Sequence, residues 1–201
     1  MSIVELLGVL TSKQFWDWFM AHEGQIWAMQ GGDDSLMDEI QAALCVFNEG
    51  LGFEISDEND GMRELVISAM SDPTLFDAVD QLVREAPVLS RWRFTALKPP
   101  RGFDFEFDGD GVHLEPKTMV FEPLRSETKP HALGLRVYVP VSNITPAIET
   151  AVRRVIEIGL GERTSSQIAY IDTATLSGSP SDHIPLVDLS EYVVWAHTRN
   201  R

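Results

Sequence analysis

The spacing of apolar side chains divides this chain into a helical opening and a longer stretch of short, alternating runs. From residue 12 to residue 29, Phe15, Trp18, Phe19, His22 and Ile26 recur at helical intervals, with Thr11 or Ser12 as the expected N-cap. Trp16, Met20 and Trp27 occupy a neighbouring face, so the apolar surface is wider than one packing partner usually covers. Gly31, Gly32, Asp33 and Asp34 interrupt the period. Leu36, Ile40, Ala43, Leu44 and Phe47 then restore it as far as Gly50, a residue suited to a helix C-terminus. Two helices separated by that break predict a helical hairpin.

Past residue 50 the period shortens. Leu51–Ile55 and Glu64–Ala69 flank the turn-forming stretch Ser56–Gly61 and read as a β-hairpin. Asp72 followed by Pro73 is a helix start, Leu75, Phe76, Val79, Leu82 and Val83 form its buried stripe before Pro87, and Arg91–Leu97 reads as a strand. After a loop at Pro99, Pro100 and Gly102, apolar residues in Phe103–Phe107 and Val112–Phe121 lie on either side of Asp108-Gly109-Asp110-Gly111. Leu135, Val137 and Val139 alternate with Arg136 and Tyr138. Thr145-Pro146 opens a helix with Ile148, Val152, Val155 and Ile156 inward, and Gln167–Ile171 closes as a strand. The order strand-strand-helix-strand therefore occurs twice. It predicts an α+β fold, with a mostly antiparallel sheet or two abutting sheets built from two β-β-α-β halves behind an N-terminal helical hairpin. As domains, the expectation is one unit over 1–201: hairpin 1–50, halves 51–100 and 101–175, and a tail 176–201. In that tail Ser177–Ser181 is a loop and Ile184–Trp195 docks as irregular or extended chain.

Composition adds limits. At 201 residues, 44% hydrophobic and 23% charged, the chain has globular composition and length enough for a sizeable core. The first sixty residues carry twelve carboxylates against one base, Lys13; the rest carry nineteen acids and fifteen bases, so the net charge of −15 divides as −11 and −4. An acidic surface repels phosphate, which argues against nucleic acid and anionic membranes as partners. No basic leader opens MSIVELLGVL and no apolar run reaches about twenty residues, so a cytoplasmic protein is expected. The single cysteine, Cys45, lies in the apolar pattern of 36–47 and reads as helix packing.

The segments Phe15-Trp16-x-Trp18-Phe19, Leu65-Val66-Ile67-Ser68-Ala69, Phe76…Val79…Leu82-Val83…Ala86-Pro87…Trp92…Lys98-Pro99-Pro100 and Leu160-Gly161-Glu162 resemble a family of bacterial proteins with no assigned function. The resemblance spans most of the chain and rests on caps, core positions and turns. It implies a bacterial cytosolic protein of one architecture and transfers no catalytic residue.

Chemistry-bearing patterns are sparse. Asp104, Glu106, Asp108, Asp110 and Glu115 stand at positions 1, 3, 5, 7 and 12 of an EF-hand calcium loop, with Gly109 at position 6. Glu106 at position 3, Gly111 at position 8 and the upstream prolines oppose that reading, and a half-buried strand ending in an Asp-Gly-Asp-Gly turn fits the same residues. His22, His113, His131, His183 and His197 make no HxH or HExxH, and His22 reads as a packed or hydrogen-bonded residue. Neither a G-x-S-x-G elbow nor a glycine-rich phosphate loop occurs, and no cofactor is implied.

Two functional readings follow. The first is a non-catalytic protein-binding or regulatory module that meets a basic partner through Asp33, Asp34, Asp38 and Glu39, with an exposed Trp16 or Trp27 as apolar anchor; the competing expectation for those rings is that both helices lie over the sheet and bury them. The second is an enzyme or small-ligand protein in which Arg91, Arg93, Lys98 and Arg101 receive an anionic ligand between the two halves. A homodimer extending an open sheet edge is compatible with either.

Overall fold

The helical opening and the first β-β-α-β half fold together as one compact unit, Met1–Lys98, and the remainder as a second, Pro99–Arg201, each with its own hydrophobic cluster. The computed structural model describes residues 3–29, 34–125, 132–178 and 183–199, with side chains described from Ser12 onward. The class is α+β with mostly antiparallel pairing, and the N-terminal helices form a hairpin. The Gly31-Gly32-Asp33 break expected between those helices lies outside the described residues.

In the first unit α1 spans Ile3–Ala28 and α2 spans Asp34–Phe47. The expected start at residue 11 or 12 is corrected: between Ile3 and Ser12 no proline stops the helix from extending backward, and Glu5, Leu6, Leu7 and Leu10 are good helix formers beside the weaker Gly8 and β-branched residues. Thr11 and Ser12 lie within the helix, and Ser12 is fully buried. β1 (Gly52–Ile55) and β2 (Arg63–Ser68) pair antiparallel, then α3 (Phe76–Arg84) crosses to β3 (Trp92–Ala96), which lies parallel to β2. A 3-10 turn at Pro73–Leu75 leads into α3. Asp72 caps it by accepting from the Thr74 backbone N–H at 2.9 Å and from the Thr74 hydroxyl at 2.7 Å; the hydroxyl bond first, and then the backbone bond, hold the Asp72 carboxyl below its usual range. The register sets Phe53 and Ile55 beside Ile67 and Leu65, and these beside Ala96 and Phe94, on one face of the sheet. That face and the inward stripes of α1, α2 and α3 share one core containing Phe15, Phe19, Ile40, Leu44, Val79 and Leu82.

The second unit repeats the pattern. β6 (Val120–Leu124) and β7 (Leu133–Val139) pair antiparallel, α4 (Pro146–Leu160) crosses over, and β8 (Ile168–Thr175) lies parallel to β7. Element order and pairing sense thus match between β1-β2-α3-β3 and β6-β7-α4-β8. Thr145 caps α4 and Pro146 occupies its first turn, as the sequence predicts. The short helix α5 (Glu162–Ser165) precedes β8, and β9 (Ile184–Pro185) adds a short edge beside β6.

Ahead of this sheet, β4 (Phe107–Gly109) and β5 (Val112–Leu114) form a separate hairpin. Asp110 (φ 52°) and Gly111 (φ 74°) take the two positive-φ positions of its tight turn. The strand expected at Phe103–Phe107 is paired only from Phe107. Continuing the ladder would set Phe105 opposite Pro116, which has no N–H to give. The alternation survives without the ladder: Phe103 and Phe107 are buried, whereas Asp104, Glu106 and Asp108 are exposed.

The expectation of irregular or extended chain over Ile184–Trp195 holds at the short strand Ile184–Pro185 and is corrected from Leu189 onward. α6 runs Leu189–Arg199 and buries Leu189, Val193 and Ala196, spaced at i, i+4 and i+7. The β-branched pair Val193-Val194 and aromatic Tyr192 and Trp195 hide that helical stripe among residues that favour strands. Residues 179–182 of the expected loop Ser177–Ser181 and its continuation lie outside the described set. Among the described residues no helix is long and apolar enough to cross a membrane.

Candidate interaction surface

α2 is sharply two-sided. Leu36, Ile40 and Leu44 enter the core, with Ala43 and Phe47 half-buried beside them. Opposite that stripe Asp34, Asp38, Ala42, Cys45 and Glu49 follow at i, i+4, i+8, i+11 and i+15, and all are exposed, as are Glu39 and Val46. No Lys, Arg or His interrupts α2. The exposed surface is therefore acidic at the N-terminal half and apolar at Ala42, Cys45 and Val46, before acid returns at Glu49. Asp34 in the first turn is also favoured by the helix dipole. Asp33, expected beside them, lies outside the described residues.

Cys45 corrects an expectation of burial: it follows Leu44 by about 100° around the helix, which turns it out of the core stripe. Its Sγ accepts from Gln41 Nε2 at 3.3 Å.

Of the two destinations open to the aromatic rings, partner and core, Trp16 takes the core. Trp16 is only 3% exposed. Its indole N–H donates to the Leu82 carbonyl at 2.8 Å, and its ring meets Phe15, Phe19 and Phe94 edge to face. Trp16 therefore fastens α1 into the core and offers nothing to a partner. Trp27 is half-buried, with the Arg91 guanidinium 4.5 Å and that of Arg63 5.9 Å from its ring centroid. His22 donates from Nδ1 to Trp18 O, 2.8 Å away, and stacks on the Trp18 ring, in line with the packed role expected of it.

Beside Trp27 is an ion pair that sequence inspection missed. Arg91 donates from Nε to Glu23 Oε1 at 2.7 Å and from Nη2 to Oε2 at 2.6 Å, and Trp92 Nε1 donates to the same Oε1 at 2.6 Å. The Arg91 hydrogen bonds lead in holding the Glu23 carboxyl below its ordinary value of 4.5, and the Trp92 N–H adds to them against the cost of burial. Arg91 is thereby engaged within its own unit, and Lys98 pairs with Glu54 at 3.2 Å. Arg93 is exposed on β3, opposite Glu64. Arg101 is exposed in the second unit, where its backbone N–H bonds Ile158 O at 3.0 Å.

This pair gives a prediction with a defined pH window. Glu23→Gln is expected to destabilise the first unit by about 1–2 kcal/mol at pH 7, the lower end reflecting solvent screening. A depressed carboxyl contributes above its unfolded value and loses that contribution as pH falls through its folded value. The urea midpoints of wild type and variant should therefore differ by a constant amount above about pH 6 and converge below the ordinary value of 4.5. A gap that widens on acidification would contradict the assignment.

The five carboxylates of the EF-hand spacing are not gathered around one point. Asp104 pairs with Lys117 at 2.5 Å, and Asp110 with Arg154 at 3.4 Å across the far end of the hairpin. Asp108 instead meets His113, a residue outside the calcium pattern, with Oδ1 2.8 Å from Nδ1. That hydrogen bond leads in raising the His113 imidazole above 6.5. The solvent side of the second sheet carries a further network. Arg136 Nε donates to Asp172 Oδ2 at 2.5 Å, and Tyr138 OH donates to Glu122 Oε1 at 2.8 Å, which pushes the phenol up. The alternation of Arg136 and Tyr138 with buried Leu135, Val137 and Val139 signals that these residues face outward. Their partners emerge only from the register Glu122↔Arg136↔Asp172. No family model, curated protein or solved structure matches the chain.

Proposed function

We propose that this chain is a non-catalytic protein-binding module of the bacterial cytosol that docks a basic partner through the outward face of α2. The observation that carries the reading is the composition of that face: Asp34, Asp38 and Glu39 exposed without an intervening base, followed directly by exposed Ala42, Cys45 and Val46. Carboxylates set orientation and encounter rate, and the adjoining apolar strip supplies contact area to a segment that is basic at one end and apolar at the other. Trp16, buried in the core, has no part in it.

The single cysteine sits inside this surface and reports on it directly. Partners captured on the immobilised chain at low salt are expected to be lost at high salt and on the variant Asp34→Lys, Asp38→Lys, Glu39→Lys. A bound partner should also slow alkylation of Cys45. Partners retained by the charge-reversed variant, or a Cys45 alkylation rate that does not change on binding, would place the interface elsewhere. Reproducible recovery of no partner would favour a small anionic ligand instead.

A further inference from the structure

The β4–β5 hairpin places an unusual set of side chains on one face. Asp108 and His113 are cross-strand partners, and extending the register by two sets Glu106 opposite Glu115. Like charges directly opposed across two strands are destabilising, and here three carboxylates surround one imidazole. The neighbouring acids are compensated, Asp104 by Lys117 and Asp110 by Arg154. Among the described residues no Lys or Arg comes within 4 Å of the carboxylates of Glu106, Asp108 or Glu115, although Lys117, paired with Asp104, is close enough to Glu106 to feel its charge. Glu106 and Glu115 also line a cleft of about 310 Å³, together with Phe105 and the Asp104–Lys117 pair.

We infer that this face is a binding site for one divalent transition-metal ion, held by His113 Nδ1 and by carboxylate oxygens of Asp108 and Glu106. One donor atom from each residue lies within 4.8 Å of the other two. Two ligands of one tetrahedral zinc, each about 2.0–2.1 Å from it, stand about 3.3 Å apart, so the 2.8 Å Nδ1···Oδ1 separation needs only a small rotation to admit the ion. Binding replaces the proton shared by His113 and Asp108, which passes to solvent. On the far side of the ring, Glu115 Oε1 lies 3.6 Å from Nε2, where a carboxylate orients a ligating imidazole. The nitrogen donor selects a transition ion over calcium, which prefers an all-oxygen shell. The rigid turn at Asp110-Gly111 fixes the strand register on which the ligands sit.

The test is titration of the tag-free full-length chain with Zn²⁺ by calorimetry and with Co²⁺ by visible absorption, in the presence of millimolar Ca²⁺. One ion per chain is expected. His113→Ala should weaken binding by more than tenfold and Glu115→Gln by about tenfold, whereas His183→Ala should leave it unchanged. All of these side chains are outward or surface groups, so circular dichroism should confirm that each variant is folded. Absence of saturable one-to-one binding, equal affinity in wild type and His113→Ala, or displacement by Ca²⁺ would each overturn the assignment.

Discussion

Phe19→Ala is expected to destabilise the first unit by about 3–5 kcal/mol, the largest effect of any single truncation in its core. Phe19 is fully buried, and its ring centroid lies 5.2 Å from that of Trp92, 5.4 Å from Phe94, 5.8 Å from Trp16 and 6.4 Å from Phe15. Three of these pairs are edge to face, an arrangement worth about 0.5–1.5 kcal/mol each beyond area burial. Removing the ring opens a cavity whose walls are themselves aromatic and held in place. Trp16 is tied to Leu82 O and Trp92 to Glu23, so neither can swing in to fill the space. Four of the five tryptophans, Trp16, Trp18, Trp27 and Trp92, belong to the first unit, and intrinsic fluorescence in urea therefore follows its unfolding. Met20→Ala one residue along, at a side chain 45% exposed, should change the midpoint by less than about 0.5 kcal/mol. Comparable losses for the two variants would mean that α1 is not anchored through this cluster.

The same cluster shows what sequence can and cannot deliver. The helical period placed Phe15, Phe19 and Ile26 inward correctly because one helix face has one destination. Trp16 sits one position, about 100°, from Phe15, and periodicity alone left its destination open between a partner and the core. Its destination depends on the Leu82 carbonyl, 66 residues away and invisible to any local pattern. Glu23 and Arg91 present the same difficulty. Each reads as an ordinary surface charge until β3 is laid against α1, and only then do they form a pair. The two β-β-α-β halves were legible because turns, caps and alternation are local. α6 was not, since its buried positions are diluted by Val194 and Trp195, which remain exposed. Of the candidate surface, the acids of α2 could be read directly from composition. Cys45 could not, because a cysteine next to a core leucine carries no sign of which way it turns. His113 escaped notice as a ligand for a related reason: a loop motif was read along the chain, while the hairpin aligns residues across it.

Gly159→Ala is expected to reverse the usual sign of a glycine replacement in a helix. In an exposed helix interior this change gains about 1 kcal/mol. Here a Cβ would stand 2.2 Å from Cε1 and 2.3 Å from Cζ of Phe103, a ring only 4% exposed and enclosed by the core of the second unit. Phe103 has little freedom to withdraw. The backbone N–H groups of Arg101 and Gly102, just before it, donate to Ile158 O at 3.0 Å and Gly159 O at 3.1 Å, which satisfies carbonyls in the last turn of α4 that have no helical partner. Gly102 at φ +69° makes the bend that delivers the ring onto the helix. Overpacking should therefore outweigh the propensity gain and leave a net loss of about 1–3 kcal/mol, with Gly159→Val worse still. The decisive comparison is a double-mutant cycle with Phe103→Leu. If the ring is what opposes the Cβ, the second substitution should recover stability in the Gly159→Ala background and lower it in the wild type. Additive losses would show that Gly159 is required for some reason other than the ring seated on it.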